Sequence, residues 1–173
     1  SMKNMQINQG GITNHTAASQ LETWRSAGVD VVCVSPVRDD VADFLDAEWW
    51  PVRPNSDVAL MLGLAHTLHT ENLHDRGFLQ SHCVGYDRFA EYLTGSSDGV
   101  PKDADWAASL CEIDAEQIRS LARRMASEPC LLSISWSLQR TEHGDQPYWM
   151  VTVLGAMLSG PDVSIAPPRD EIL

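Results

Sequence analysis

Two polar segments carry the side chains best suited to chemistry, and each directly follows a run of β-branched and apolar residues. The first is Ser35-Pro36-Val37-Arg38-Asp39-Asp40, taken up again at Pro54-Asn55-Ser56-Asp57. A carboxylate such as Asp57 can accept two hydrogen bonds from the adjacent N–H donors of a guanine edge. Backbone N–H groups at the start of the helix that follows suit an anion. The plainer role open to Asp57 is that of a helix N-cap. The second segment, Trp136 to Gln146, gathers an indole, a hydroxyl, two amides, a guanidinium and an imidazole between two apolar stretches. A planar guanidinium suits phosphate or an extended heterocycle, and polar loops on a rigid scaffold are where binding concentrates.

Other chemically suggestive patterns have simpler explanations. Gly95-Ser96-Ser97-Asp98-Gly99 matches G-x-S-x-G, but a nucleophile elbow needs a strand before its serine. Phe89 to Leu93 reads instead as helix, so a surface turn is expected. His66 and His69 share one helical face without a third ligand at workable spacing, which favours packed or surface histidines over a metal site. Cys33, Cys83, Cys111 and Cys130 offer no C-x-x-C pair. Cys33 and Cys130 lie in apolar runs, where a thiol acts as a small hydrophobe.

These loops must be held by regular elements. Ala17, Leu21 and Trp24 suit an amphipathic helix ending at Gly28. A buried strand follows over Val29 to Val34, then a short helix over Asp40 to Leu45 and a second strand near Glu48 to Val52. Asn55-Ser56-Asp57 opens a helix that is apolar nearly all round and belongs in the interior. Short helices with polar joints fill residues 72 to 110. Asp114 caps a helix with Ile118, Leu121, Ala122 and Met125 on one face and Arg119, Arg123 and Arg124 toward solvent. Cys130 to Ser135 reads as another buried strand, and Pro147 to Leu158 as a final apolar helix stopped by Gly160-Pro161. Strand, polar loop and helix in this order predict an α/β fold with a parallel sheet, helix-rich. The expected organisation is an N-terminal loop over residues 1–16, whose Ser1-Met2 reads as a cloning scar, a domain over 17–160 and an irregular tail over 161–173.

Twenty-four acidic against 12 basic side chains give a formal charge of −12 over 173 residues. That balance argues against a nucleic-acid polymer as partner, because phosphate binding needs clustered Lys and Arg. No apolar run approaches the roughly 18 residues of a membrane span, and the polar N-terminus has no signal-peptide core.

Val32-Cys33-Val34-Ser35-Pro36, Pro54-Asn55-Ser56-Asp57-Val58-Ala59-Leu60-Met61-Leu62-Gly63-Leu64-Ala65-His66, Trp136-Ser137-Leu138-Gln139-Arg140 and His143-Gly144-Asp145-Gln146-Pro147-Tyr148-Trp149 together resemble the molybdopterin oxidoreductases. Within that family, the branch of dimethyl sulfoxide, trimethylamine N-oxide and biotin sulfoxide reductases is the most similar. The resemblance runs from about Lys3 to Leu158. It implies an internal α/β domain, Rossmann-like and three-layered with a parallel sheet and incomplete relative to the family, that holds the guanine dinucleotide part of one of two molybdopterin cofactors. Ser35, Pro36 and Arg38 would then lie by a guanosine, and Asn55 and Asp57 would read its base and ribose side. Trp136, Ser137, Gln139, Arg140, His143 and Gln146 would face pterin and phosphates. Asp145 departs from the glutamate usual in the family. Family enzymes are several times longer and, in this branch, take a serine ligand to molybdenum from an upstream segment, which nothing before Lys3 supplies. The expectation is a reductase fragment, inactive alone. The alternative is a free-standing nucleotide-binding module that associates with itself through surface uncovered by missing domains.

Overall fold

The computed structural model describes residues 17–40, 42–158 and 164–165. They divide at Val52/Arg53 into two compact units.

In the first unit, helix α1 (Ala17–Ser26) precedes two short parallel strands, β1 (Val32–Val34) and β2 (Glu48–Trp50). Their register pairs Val32 with Glu48, Cys33 with Trp49 and Val34 with Trp50. Gly28, at φ +70°, ends α1 as expected, and Val29 N–H donates to Trp24 O (3.0 Å). Val29 thus closes the helix instead of entering the ladder, and the strand starts later than its β-branched run suggests. The chain between the strands makes two 3-10 turns, Arg38–Asp40 and Asp43–Leu45, where one short helix is expected. Leu21, Cys33, Ala42 and Leu45 form the core here, with Trp24, Phe44 and Ala47 packed against it.

The second unit is built around α2 (Asp57–Thr70), whose residues 62–65, 67 and 68 are all buried. Helices α3 (Arg76–His82), α4 (Tyr86–Leu93), α5 (Ala104–Cys111), α6 (Ala115–Ser127) and α7 (Gln146–Met157) follow. Of these, α5, α6 and α7 make the main contacts with α2. An added Cβ at Gly63 would stand 2.7 Å from Ala107 Cβ, so the missing side chain sets how closely α2 and α5 approach. Asp114 caps α6 as expected, accepting from Glu116 N (2.9 Å) and Gln117 N (3.2 Å). Ile118, Ala122 and Met125 are buried on that helix. On its other side, Arg119 and Arg123 pair with Asp105, Glu116 and Glu71.

The expected strand at Cys130 to Ser135 shrinks to β3 (Leu131–Leu132), paired in parallel with β4 (Ser164–Ile165). Leu131 is half exposed in this two-residue ladder. The pairing also places a strand inside the tail expected to be irregular. The α/β expectation holds as two separate parallel pairs among many helices. The expected loop over 1–16 and the stop at Gly160-Pro161 lie outside the described residues.

Candidate functional site

The loop at the carboxyl end of β1 is held by its own polar groups. Ser35 is buried; its N–H donates to Trp50 O (3.1 Å) and its hydroxyl to Asp40 Oδ2 (2.6 Å). The same hydroxyl accepts from Val37 N (3.2 Å), and Ser35 O accepts from Trp49 Nε1 (2.9 Å). Ser35 therefore fixes the loop, while Pro36 and Arg38 remain exposed. The Arg38 guanidinium lies 5.6 Å from the centre of the Trp49 ring, within cation–π range. Beneath the loop, burial and then the Asp40 charge push the Cys33 thiol above its usual range. Trp49 is the residue sequence reasoning passed over. Its signal was the parallel register, which sets the β2 aromatics beside the end of β1.

In the second unit, Asn55 is exposed at φ +64°, and Ser56 occupies the N-cap of α2. Ser56 Oγ donates backward to Arg53 O (2.6 Å) and makes no cap bond to the helix. Asp57 is thus the first helical residue and not the cap. It is partly buried, and desolvation raises its carboxyl above the ordinary value, against a lowering by its own N–H. Among the described residues it has no side-chain partner. A partly buried carboxylate at a helix start, partnered among the described residues by its own backbone N–H, can still accept N–H groups from a ligand.

The Trp136 segment forms a 3-10 turn, Trp136–Arg140, with Ser135 as its cap. Ser135 Oγ accepts from Ser137 N (3.3 Å) and lies 2.8 Å from Ser137 Oγ, while Tyr148 Oη donates to Ser135 O (3.1 Å). Gly144 folds the segment back on itself: an added Cβ would meet Gln139 O at 2.5 Å and Leu138 O at 2.7 Å. His143, at φ +56°, accepts at its carbonyl from Gln146 N (2.9 Å), where α7 begins. Gln139, Arg140 and His143 are exposed. Arg140 has no ion pair among the described residues. Ser35, Pro36 and Arg38 belong to the first unit; Asn55, Asp57 and the residues from Trp136 to Gln146 belong to the second.

The remaining motifs have internal partners. The G-x-S-x-G stretch follows α4 and not a strand, and it sits in a turn with Gly95 and Gly99 both at positive φ. Buried Lys102 holds that turn, donating to Asp98 Oδ2 (2.7 Å) and to Val100 O, with Tyr92 beneath its ammonium. His69 Nδ1 meets Tyr86 Oη at 2.9 Å, and His74 Nδ1 meets Leu68 O at 3.1 Å. Among the described residues, no helix is long and apolar enough to cross a membrane.

Residues 11–162 match the sequence profile of the family described as molybdopterin oxidoreductase. The dimethyl sulfoxide/trimethylamine N-oxide reductase of Cereibacter sphaeroides is 46% identical over 156 residues, 89% of this chain and 19% of that protein. The biotin sulfoxide reductase of the same organism is 42% identical over 91% of this chain and 21% of its own length. Trimethylamine-N-oxide reductase 1 of Escherichia coli is 46% identical over 81% of this chain and 17% of its own. The chain thus spans about a fifth of the length of the curated relatives it matches. Among solved structures, acetylene hydratase from Pelobacter acetylenicus aligns with a TM-score of 0.68 at 27% identity, over 85% of this chain and 20% of that one.

Proposed function

Because the chain belongs to the molybdopterin oxidoreductase family, we propose that it is the part of an S- or N-oxide reductase that holds the guanine dinucleotide of one molybdopterin. By itself it reduces nothing. The observation that carries this reading is the range of names attached to one architecture. Proteins named as sulfoxide and N-oxide reductases share this segment in sequence, and a protein named as a hydratase shares its fold. A segment common to different reactions serves what those reactions have in common, and a shared cofactor is that common element.

The residues of these segments fit such a group. Asp57 offers a partly buried carboxylate with no side-chain partner among the described residues, suited to the N–H edge of guanine. Asn55 stands exposed two residues before it. Arg38 and Arg140 present exposed guanidinium groups for phosphate. Pro36 would pack by the guanosine. Trp136, Ser137, Gln139, His143 and Gln146 belong to the segment that would face the pterin. The bound cofactor would supply oxygen-atom and electron transfer, while the protein orients it. A few local donors suffice for one dinucleotide, so the net charge of −12 is no obstacle.

Calorimetric titration of the 173-residue chain with GDP, with ADP as the base control, tests this reading. GDP binding that is weakened by Asp57→Ala and not matched by ADP supports it. Failure of GDP to bind either form removes the ligand assignment. Reduction of trimethylamine N-oxide by the chain with added cofactor would overturn its inactivity alone.

A second reading, a self-associating module, is favoured by the exposure of Trp149 (67%) and Leu131 (50%). Exposed apolar surface tends to be covered by association. Sedimentation showing a monomer across a wide concentration range excludes it.

A further inference from the structure

The turn between α4 and α5 is exposed over residues 96–100 and carries the one Asp–Gly pair of the sequence, Asp98-Gly99. Such a pair is open to isomerisation. The Gly99 nitrogen attacks Asp98 Cγ, a C–N bond forms, and a carboxyl oxygen leaves as water, closing a succinimide. Water then opens that ring at either carbonyl. One opening restores aspartate; the other passes the main chain through the side-chain carboxyl as isoaspartate, with no net change in mass. Glycine is the most permissive residue to follow the aspartate, because it has no Cβ to crowd the attacking nitrogen. Nothing lies within 4 Å of the Cβ position at Gly99.

Attack needs a neutral carboxyl, free to swing, and a nitrogen that is not engaged. The folded turn withholds all three. Gly99 N–H donates to Gly95 O (2.7 Å). Asp98 Oδ1 accepts from Val100 N (3.0 Å) and Oδ2 from Lys102 Nζ (2.7 Å). These donors, Lys102 first, hold the Asp98 carboxyl below its ordinary value and so keep it ionised.

Lys102 is built into the fold for this contact. Its side chain is 5% exposed, and a lysine is almost never fully buried unless paired. Its ammonium also donates to Val100 O, and the ring centres of Tyr92 and Trp106 lie 4.2 and 5.9 Å away, within cation–π range. Its backbone N–H donates to O of the fully buried Leu93 (2.9 Å). The ammonium is thus fixed from beneath, while the Asp98 carboxylate reaches it from the solvent side. We propose that Asp98-Gly99 is an isomerisation site and that Lys102 is its guard, suppressing succinimide closure by tying up the Asp98 carboxylate.

Peptide mapping of isoaspartate at position 98 tests this on the full chain. The protein is aged at about pH 6, where an ordinary aspartate keeps a neutral fraction of about one in a hundred. Isoaspartate should form about tenfold or more slower in the folded chain than in the same chain unfolded in urea. Lys102→Met keeps the length and apolar stem of the side chain but not its charge. It should form isoaspartate about fivefold or more faster than the folded parent, by loss of a charge-assisted hydrogen bond, while still melting cooperatively. Lys102→Gln retains a donor and should fall between the two; it is read in the same way if the methionine protein does not fold. Equal rates in the folded and unfolded parent overturn the proposal. So does a folded Lys102 variant that isomerises no faster than the parent.

Discussion

Gly144→Ala is the sharpest test of how the polar segment before α7 is held. The backbone at Gly144 lies outside the left-handed region, so an alanine there meets no conformational penalty and its cost is purely one of contact. The new Cβ would stand 2.5 Å from Gln139 O, 2.6 Å from Gln139 C and 2.7 Å from Leu138 O, whereas ordinary contact begins at 3.4 Å. All three obstacles are backbone atoms, so no side-chain rotation relieves them. Either the 3-10 turn or the start of α7 must move by most of an ångström. Movement is resisted by Gly144 N–H to Thr141 O (3.1 Å), Gln146 N–H to His143 O (2.9 Å) and Tyr148 Oη to Ser135 O (3.1 Å). Overpacking of this kind costs about 1–3 kcal/mol. For a chain of this size each kcal/mol lowers the melting temperature by about 2–4 °C. Calorimetry should therefore show a loss of several degrees, and hydrogen exchange should speed up at Leu138 to Arg140. Gly99→Ala is the matched control: its φ is +77° with nothing within 4 Å, so any loss there comes from backbone strain and leaves exchange at 138–140 unchanged. A Gly144→Ala protein that melts with the parent and exchanges normally at 138–140 would refute the contact argument.

Asp57→Asn should separate stability from binding. Burial raises the Asp57 carboxyl above its ordinary value, so its stabilising contribution is present at low pH and is lost as pH rises through the raised value. At pH 7 the amide should melt higher than the parent and bind GDP less, with the gain shrinking toward acid pH; a lower melting point at neutral pH would contradict this. Leu68→Ala, at a fully buried position on α2, should cost about 2–5 kcal/mol in urea denaturation. A loss below about 1 kcal/mol would place the core elsewhere. Burial raises Tyr86 to about 12 from 10.0, so the unfolded chain loses this proton first and stability falls as pH rises from 10 toward 12. Melting curves of Tyr86→Phe should lack that part of the alkaline loss, and identical alkaline profiles for the two proteins would count against it.

The helices were readable because each is specified locally. Asp114 followed by Gln117 and the stripe Ile118, Ala122, Met125 place α6 without reference to any other element. The continuous apolar run of α2 likewise marks an interior helix wherever its partners lie. Strands depend on neighbours, and there local reading overshot. Val29 has strand chemistry but its N–H closes α1, and among the described residues the apolar run after Cys130 pairs with β4 over two residues. The same limit applies to side chains brought together by turns. His69, His74 and Tyr86 meet because Asn72 takes φ +56° and turns the chain after α2, which no spacing rule encodes. Asp57 stands at the first position of α2, and the capping alternative fails for it because Ser56, one residue earlier, takes the N-cap position while its hydroxyl turns back to Arg53 O.

The two polar loops differ in how tightly fold and binding are coupled. At β1, the loop geometry is made by polar groups: Ser35 joins Trp50, Asp40, Val37 and Trp49. Removing its hydroxyl would leave the Asp40 carboxylate and the Val37 N–H without that partner, so a binding defect there would carry a folding defect with it. The second unit is arranged the other way. Its stability comes from the apolar faces of α2, α5, α6 and α7, led by Leu68, Ile118, Leu154 and Met157. Asn55, Gln139, Arg140 and His143 lie outside that core with their polar groups exposed. Asp57 goes further, since its burial opposes the charge it would need for guanine. Groups that add nothing to the packing, or act against it, are free to be set by a ligand. Under the dinucleotide-binding role proposed above, the heads of α2 and α7 are where a change of side chain would alter affinity while leaving the unit folded, and the β1 loop is where it would not.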